Sequence, residues 1–363
     1  MAERERKNLH KRVLKKAVVY GGSVAIGMAG VGAFLNPAEK HDRSHHPSNV
    51  VSVDDTFFIG TAPDRNNQAP ALLFGKEVLS SPPHIINFFL ESNFYKDPNE
   101  MIKRVNSNLD FGSVPMVSFG LGELLQGDRD VVTESTRLNI LVDAFDRVRG
   151  PVFFRPFYEM NTNWAEAWYQ SFTPDTFIAT WRQMYDFVKE KLGQEVYFVF
   201  APNATTIGHR FTDYYPGPEF VDALGLDAYS RHNSAIINPR RYAFPDYEVA
   251  EVLGPDVLQF LHMAPDKPLL ITETNAIDNR VKWITDLIVQ SRSWGAVGAV
   301  LFEWNKAELL GINIAEANWR LSREERNELR SNLSMNTVRA LKSSGVARAR
   351  EIIEVILSSP VGR

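Results

Sequence analysis

Val152-Phe153-Phe154-Arg155-Pro156-Phe157-Tyr158-Glu159-Met160-Asn161 is a short, nearly continuous apolar run that closes on a carboxylate. A second stretch repeats the design: Pro268-Leu269-Leu270-Ile271-Thr272-Glu273-Thr274-Asn275. Continuous rather than alternating hydrophobicity marks a strand covered on both faces, as in a parallel sheet wrapped by helices. Six more apolar runs of strand length lie at 56–60, 84–90, 114–119, 195–201, 223–227 and 296–302. Helical spacing fills the gaps between most of them. Leu138, Leu141, Val142, Phe145 and Val148 form one apolar stripe across 133–149. Thr173-Pro174 opens a second helix that runs to Leu192, with Gly193 after it. Residues 279–294, closed by Gly295, make a third. Ser322-Arg323-Glu324-Glu325 is a capping box that opens a helix toward Leu341.

Eight strand–helix units over residues 50–342 predict an α/β fold, a (β/α)8 TIM barrel. A doubly wound sheet is the rival, but no glycine-rich phosphate loop follows the first run, where Thr61-Ala62-Pro63-Asp64-Arg65 stands instead. Counted in order, Glu159 ends the fourth strand and Glu273 the seventh. They are 114 residues apart, three units of 38. The C-terminal strand ends of such a barrel form its active face. Two carboxyls on that face suit the cleavage of a glycosidic bond.

Charge and composition narrow the partners. The 363 residues are 44% hydrophobic and 23% charged, enough for a large core. Residues 1–16 hold seven Lys/Arg against two Asp/Glu, so of the formal net charge of −4 the remainder carries −9. An acidic body argues against a nucleic-acid partner. With no cysteine, a disulfide framework, a thiol nucleophile and cysteine-bound zinc are excluded. No His/Asp/Glu grouping has a defensible metal-ligand spacing, and no cofactor is expected.

Residues 1–48 read as targeting followed by a linker. Lys15-Lys16 precede the uncharged stretch 17–35. At about 1.5 Å per residue it spans roughly 28 Å, close to a bilayer core. It is expected to be a signal peptide or a membrane anchor, with the body exported: secreted, periplasmic, or held on the outer side of the cytoplasmic membrane. The expected organisation is 1–48 for this region, 49–342 for the barrel and 343–363 for a C-terminal helical tail packed under it.

Arg155-Pro156-Phe157-Tyr158-Glu159-Met160-Asn161-Thr162-Asn163-Trp164 resembles the fourth-strand motif of glycoside hydrolase family 26, the β-mannanase family of retaining barrel glycosidases. More loosely, Ile271-Thr272-Glu273-Thr274-Asn275 resembles the family's nucleophile strand. Residues 221–229 resemble its sixth strand, and Leu301-Phe302-Glu303-Trp304-Asn305 its eighth. The resemblance implies a retaining hydrolase of β-linked polysaccharide, β-1,4-mannan or a related β-glycan, working by double displacement. Glu159 would be the acid/base, with Phe157, Tyr158 and Met160 as desolvating neighbours. Glu273 would be the nucleophile, paired with Arg155 and hydrogen-bonded by Tyr229. Trp164 and Trp304 would stack on sugar rings, and Asn203, at the fifth strand end, would bond a sugar hydroxyl or cap a turn. Asp227 reads as a structural carboxylate. The family's His before the acid is Tyr158 here, its Gly after the Asn is Thr162, and its aromatic cluster becomes Ala165-Glu166-Ala167 before Trp168-Tyr169. These changes leave β-mannan, a β-glucan, a xylan or an exopolysaccharide open as substrate. The alternatives are a barrel that binds polysaccharide without cutting it, and a transglycosylase that remodels an exopolysaccharide.

Overall fold

All eight apolar runs are strands, and they close on themselves. The structure is a computed structural model that describes residues 51–52, 57–63, 69–90, 97–120, 136–162, 173–204, 210–230, 248–276, 279–304, 318–334 and 344–361. The barrel strands are β1 (Phe58–Pro63), β2 (Ile85–Phe89), β3 (Val114–Phe119), β4 (Val152–Pro156), β5 (Val196–Phe200), β6 (Ala223–Tyr229), β7 (Leu269–Asn275) and β8 (Ala296–Glu303). Each pairs in parallel with the next, and β8 returns to β1 from Phe58↔Gly298 to Pro63↔Glu303. Closure leaves no open edge, and all eight are buried almost throughout.

The helices follow from local chemistry. They are α1 (Ala69–Phe74), α2 (Pro98–Asp110), α3 (Thr136–Asp146), α4 (Pro174–Leu192), α5 (Val249–Met263), α6 (Arg280–Ser293), α7 (Arg323–Asn332) and α8 (Gly345–Leu357). Thr173 caps α4 by accepting from the Thr176 amide at 3.3 Å, and Gly193 leaves it at φ 66°. Ser322 and Glu325 exchange the two bonds of a capping box at α7. That helix stops at Asn332 rather than continuing toward Leu341. Its next two residues, Leu333–Ser334, leave the helical path to pair in parallel with Val51–Ser52. Between β5 and β6 the described residues form two 3-10 turns, Phe211–Tyr214 and Pro218–Phe220, in place of a long helix.

Aromatic packing fixes β4 and β5 against the helix layer. Phe154 meets Phe145 and Phe198 edge-on, at 5.3 and 5.2 Å, and Trp181 of α4 meets Phe198 at 5.9 Å. Such offset pairs add to the area buried. Alternation then sends Arg155 to the barrel interior. The tail forms α8, whose Ala349, Ile352, Ile353 and Ile356 are buried, and it packs on α2 and β3. Arg348 fastens it by donating to the carbonyls of Gly112 (2.6 Å) and Pro82 (3.3 Å). The stretch 17–35 lies outside the described residues. Among those described, no helix is long and apolar enough to cross a membrane.

Candidate active site

Two strands run further than their apolar runs foretold. β6 extends to Tyr229 and β7 to Asn275, so Glu273 lies within its strand rather than at the end. Thr272, Glu273, Thr274 and Asn275 are all at most 5% exposed. Polar residues persist in a buried strand only when their groups find partners, and these do. The β6–β7 register also slips: Leu226 pairs with Ile271, whereas Asp227 pairs with Glu273. The extra residue is Thr272, and a bulge of this kind aims two successive side chains at one cluster. Thr272 Oγ1 donates to Asp227 Oδ1 at 2.6 Å, while Glu273 reaches Arg155 and Tyr229. Gly225 makes this possible, since a Cβ there would stand 2.7 Å from Thr272 Cγ2 and 2.8 Å from the Ala201 methyl.

Arg155 sits at the centre, fully buried. Its Nη1 donates to Asp227 Oδ1 (3.2 Å) and the Thr272 carbonyl (3.4 Å), and its Nη2 to Glu273 Oε1. The second oxygen of Glu273 accepts from the Tyr229 hydroxyl at 2.6 Å. Burial alone would discharge Arg155, but Asp227 and Glu273 outweigh it and hold its pKa above the ordinary value. Burial pushes Asp227 well above the carboxylate range; Arg155 opposes this, and the charges of Glu273 and Glu159 add to it. Burial, then Glu273, Glu159 and Asp227, likewise raises Tyr229. One guanidinium therefore faces two carboxyls, and burial drives Asp227 toward its neutral form. The expected partnerships of Glu273 with Arg155 and Tyr229 are thus both present, and Asp227 is a buried member of the same network.

Glu159 approaches from a strained turn. Beyond β4 the chain reverses with φ of 55° at Phe157 and 53° at Glu159, left-handed values that cost a non-glycine residue roughly 1–3 kcal/mol. Neighbouring strands hold the turn. The Phe157 amide donates to Phe119 O (2.6 Å) and the Glu159 amide to Ala201 O (2.8 Å). Thr162 Oγ1 donates to the Glu159 carbonyl at 2.8 Å. The Phe157 ring turns to the helix layer, 5.8 Å from Phe177 and 6.2 Å from Trp181, and so is not the apolar neighbour expected beside the carboxyl. Tyr158 is half-buried and covers Arg155, whose Cζ lies 4.6 Å from its ring centroid.

Asn203 has a further partner that the sequence did not announce. Its Nδ2 donates to Glu159 Oε1 at 2.7 Å. Asn161, buried and without an assigned role in the sequence reading, clamps the backbone of Asn203 at both ends, each bond 2.9 Å. Trp304, expected as a sugar platform, is only 6% exposed. Its Nε1 donates to the Pro63 carbonyl (2.6 Å), and its ring stacks on Phe302 and meets Phe89 edge-on. Little of that ring is left for a ligand. Trp164 lies outside the described residues. The sequence reading missed Asn161, Thr272, Phe89 and Trp319. The first two stand inside the quoted motifs, but nothing local marks the others.

Comparison with known proteins finds likeness to one family and one fold. The family model described as Glycosyl hydrolase family 26 matches residues 122–261, a span that contains Arg155, Glu159, Asn203 and Tyr229 but not Glu273. The chain is 29% identical over 127 residues to "Mannan endo-1,4-beta-mannosidase A and B" of Caldalkalibacillus mannanilyticus, covering 30% of this chain and 24% of that one. It is 31% identical over 162 residues to "Mannan endo-1,4-beta-mannosidase" of Bacillus subtilis, covering 40% and 38%. The chain thus spans well under half the length of these curated relatives. Among solved structures, the catalytic domain of a Bacillus sp. JAMB-750 endo-β-1,4-mannanase superposes with a TM-score of 0.57 at 15% identity, over 84% of this chain and 91% of that one. At that identity the likeness concerns the fold.

Proposed function

We propose that the chain is a member of glycosyl hydrolase family 26, whose model matches residues 122–261, and a retaining glycoside hydrolase acting on a β-mannan-type polysaccharide. The observation that carries the proposal is the presence of two carboxyl groups at the C-terminal barrel face, each held by its own partners. Glu273 is bonded by Arg155 and Tyr229, and Glu159 by Asn203.

In the proposed reaction, Glu273 attacks the anomeric carbon while Glu159 gives its proton to the glycosidic oxygen, and the leaving chain departs as an alcohol. Water then attacks the glycosyl ester as Glu159 takes a proton from it, and Glu273 is released as carboxylate. The two oxygens of Glu273 are directed by a cation and a phenol on different strands, which suits a nucleophile that must be aimed before it reacts. Asn203 orients Glu159 through Oε1. By the likeness of the motif 155–164, Tyr158 and Trp164 would contact the sugar. A polymeric substrate also fits export of the barrel, which rests on the basic flank and uncharged stretch 15–35.

The test is cleavage by the full chain of mannans, β-glucans and xylans, with Glu273→Gln and Glu159→Gln as controls. Products are read by mass spectrometry and by the anomer first seen in proton NMR. Cleavage of mannan with the β-anomer first, abolished in both variants, is the expected result. The α-anomer first would overturn retention. Silence on every glycan, with retention on a glycan affinity gel, would replace the hydrolase by a binding barrel.

A further inference from the structure

Tyr229 is the last residue of β6, and its ring reaches beyond its own strand for support. The ring leans on Phe302 of β8, at 6.0 Å and 81°, and on Trp319, at 5.4 Å and 66°. Trp319 belongs to neither a strand nor a helix. It lies in the segment Asn318 to Leu321, which leads into α7, and is only 3% exposed.

That segment is held by side chains that follow Glu273 along the chain. Asn275, two residues after Glu273, donates from Nδ2 to the carbonyls of Phe302 (2.6 Å) and Trp319 (2.8 Å), while its Oδ1 accepts from the Ala276 amide (2.7 Å). Arg280, the first residue of α6, donates to the carbonyls of Asn318 (2.6 Å), Arg320 (3.1 Å) and Ala276 (3.0 Å), and pairs with Glu325 at 3.4 Å. The Trp319 amide donates to the Trp304 carbonyl at 2.7 Å. Buried irregular backbone needs partners. Here they come from the strand that bears Glu273 and from the helix it enters, so the position of Trp319 is tied to that of Glu273.

We propose that Trp319 is a positioning residue for Glu273, acting through Tyr229, with Asn275 and Arg280 setting its place. The proposal deepens the reading of Glu273 as nucleophile and rests on it. The Tyr229 hydroxyl stands at the far end of its ring, so a small tilt of the ring moves the hydroxyl away from Glu273 Oε2. Trp319, edge-on at 5.4 Å, restrains that tilt.

The experiment compares the full chain with Trp319→Leu, Trp319→Phe, Arg280→Lys, Tyr229→Phe and the double variant Trp319→Leu/Tyr229→Phe. One readout is kcat and KM on the glycan that the wild type cleaves. The other needs no substrate: the ring-carbon NMR signal of Tyr229, identified by its loss in Tyr229→Phe. Trp319→Leu is expected to lose about tenfold in kcat, with KM within about twofold, because the interaction it weakens matters most in the transition state. Its Tyr229 signal shifts or broadens. Trp319→Phe restores both, and Arg280→Lys moves both part of the way. Adding Trp319→Leu to Tyr229→Phe costs nothing further, since the two share one route. Additive losses, a rise in KM alone, or an unmoved Tyr229 signal would overturn the proposal. If the wild type cleaves no glycan, the catalytic reading fails on its own, and the NMR signal still decides whether Trp319 holds Tyr229.

Discussion

The Tyr158 ring lies over the guanidinium of Arg155, with Cζ 4.6 Å from the centroid, and Phe89 meets the same ring edge-on at 5.4 Å. Tyr158 stands where the resembling motif carries a histidine. A phenol ring supplies a π face to a buried cation that already serves two carboxyls, and desolvation strengthens that contact.

Tyr158→Phe, which keeps the face, is therefore expected to retain kcat/KM within about threefold, whereas Tyr158→Leu loses about 10- to 30-fold, equivalent to a contact of roughly 1.5–2 kcal/mol. Steady-state kinetics on the cleaved glycan measure both. Equal losses in the two variants would assign the role to the hydroxyl instead.

The clamp of Asn161 on Asn203 makes a second prediction. Asn203→Ala removes the donor to Glu159 and is expected to lower kcat by about 10²-fold, within the range for a preorganised hydrogen bond. Asn161→Ala leaves that donor in place but frees its backbone, and a smaller loss of about tenfold is expected. A larger loss for Asn161→Ala than for Asn203→Ala would contradict this order.

Removing Arg155 tests the cost of the network itself. Arg155→Met leaves Asp227 and Glu273 buried without their shared cation. Breaking a buried pair from one side typically costs about 3–5 kcal/mol. Urea denaturation of the variant should show a loss of that size, relieved in part by adding Asp227→Asn. An unchanged midpoint would mean that the carboxyls find other partners.

Glu303 gives a pH prediction. It is 2% exposed between β8 and α7, and burial pushes its pKa up from 4.5 to about 7, against the opposing pull of Arg326 and a bond from the Leu321 backbone. The folded state therefore binds this proton more tightly than the unfolded chain. Its contribution is full below about pH 4.5 and is lost as pH rises through 7, a change of roughly 3 kcal/mol. Glu303→Gln should abolish that loss and raise stability at pH 8 relative to pH 5. Parallel urea curves for wild type and variant across this range would refute it.

His84 acts in the opposite sense. It is buried at the start of β2, where burial first and Arg348 second lower its pKa from 6.5 to about 3 despite a bond with Ile59. The unfolded chain takes up a proton that the folded state refuses, so stability falls as pH drops from 6.5 toward 3. His84→Asn should flatten this acid limb. A limb of unchanged slope would place the acid sensitivity elsewhere.

Much of the molecule could be read from its residues because each signal was local. A run such as 114–119 or 152–156 cannot leave its apolar side chains in water on either face, so it must be a strand between layers. Thr173-Pro174 and Ser322 with Glu325 satisfy helix ends by bonds across three residues. Eight such units of even length leave few topologies, and the 114-residue spacing of Glu159 and Glu273 placed both at one end of a barrel. The helix drawn toward Leu341 failed for the converse reason. Leu333 and Ser334 are recruited by Val51 and Ser52, 282 residues earlier, and no local pattern announces that pairing.

What the sequence determined by itself was the barrel and the placement of the two glutamates at one end of it; the partnership of Glu273 with Arg155 and Tyr229 was implied by the family resemblance. The tertiary structure alone decided that β7 continues past Glu273, that a bulge turns Thr272 toward Asp227, that Asn203 donates to Glu159, and that Trp304 is nearly buried. It alone brought Trp319 against Tyr229. Strand identity follows from what a residue's immediate neighbours bury, whereas a side chain's role at the site depends on partners that only closure of the barrel brings within reach.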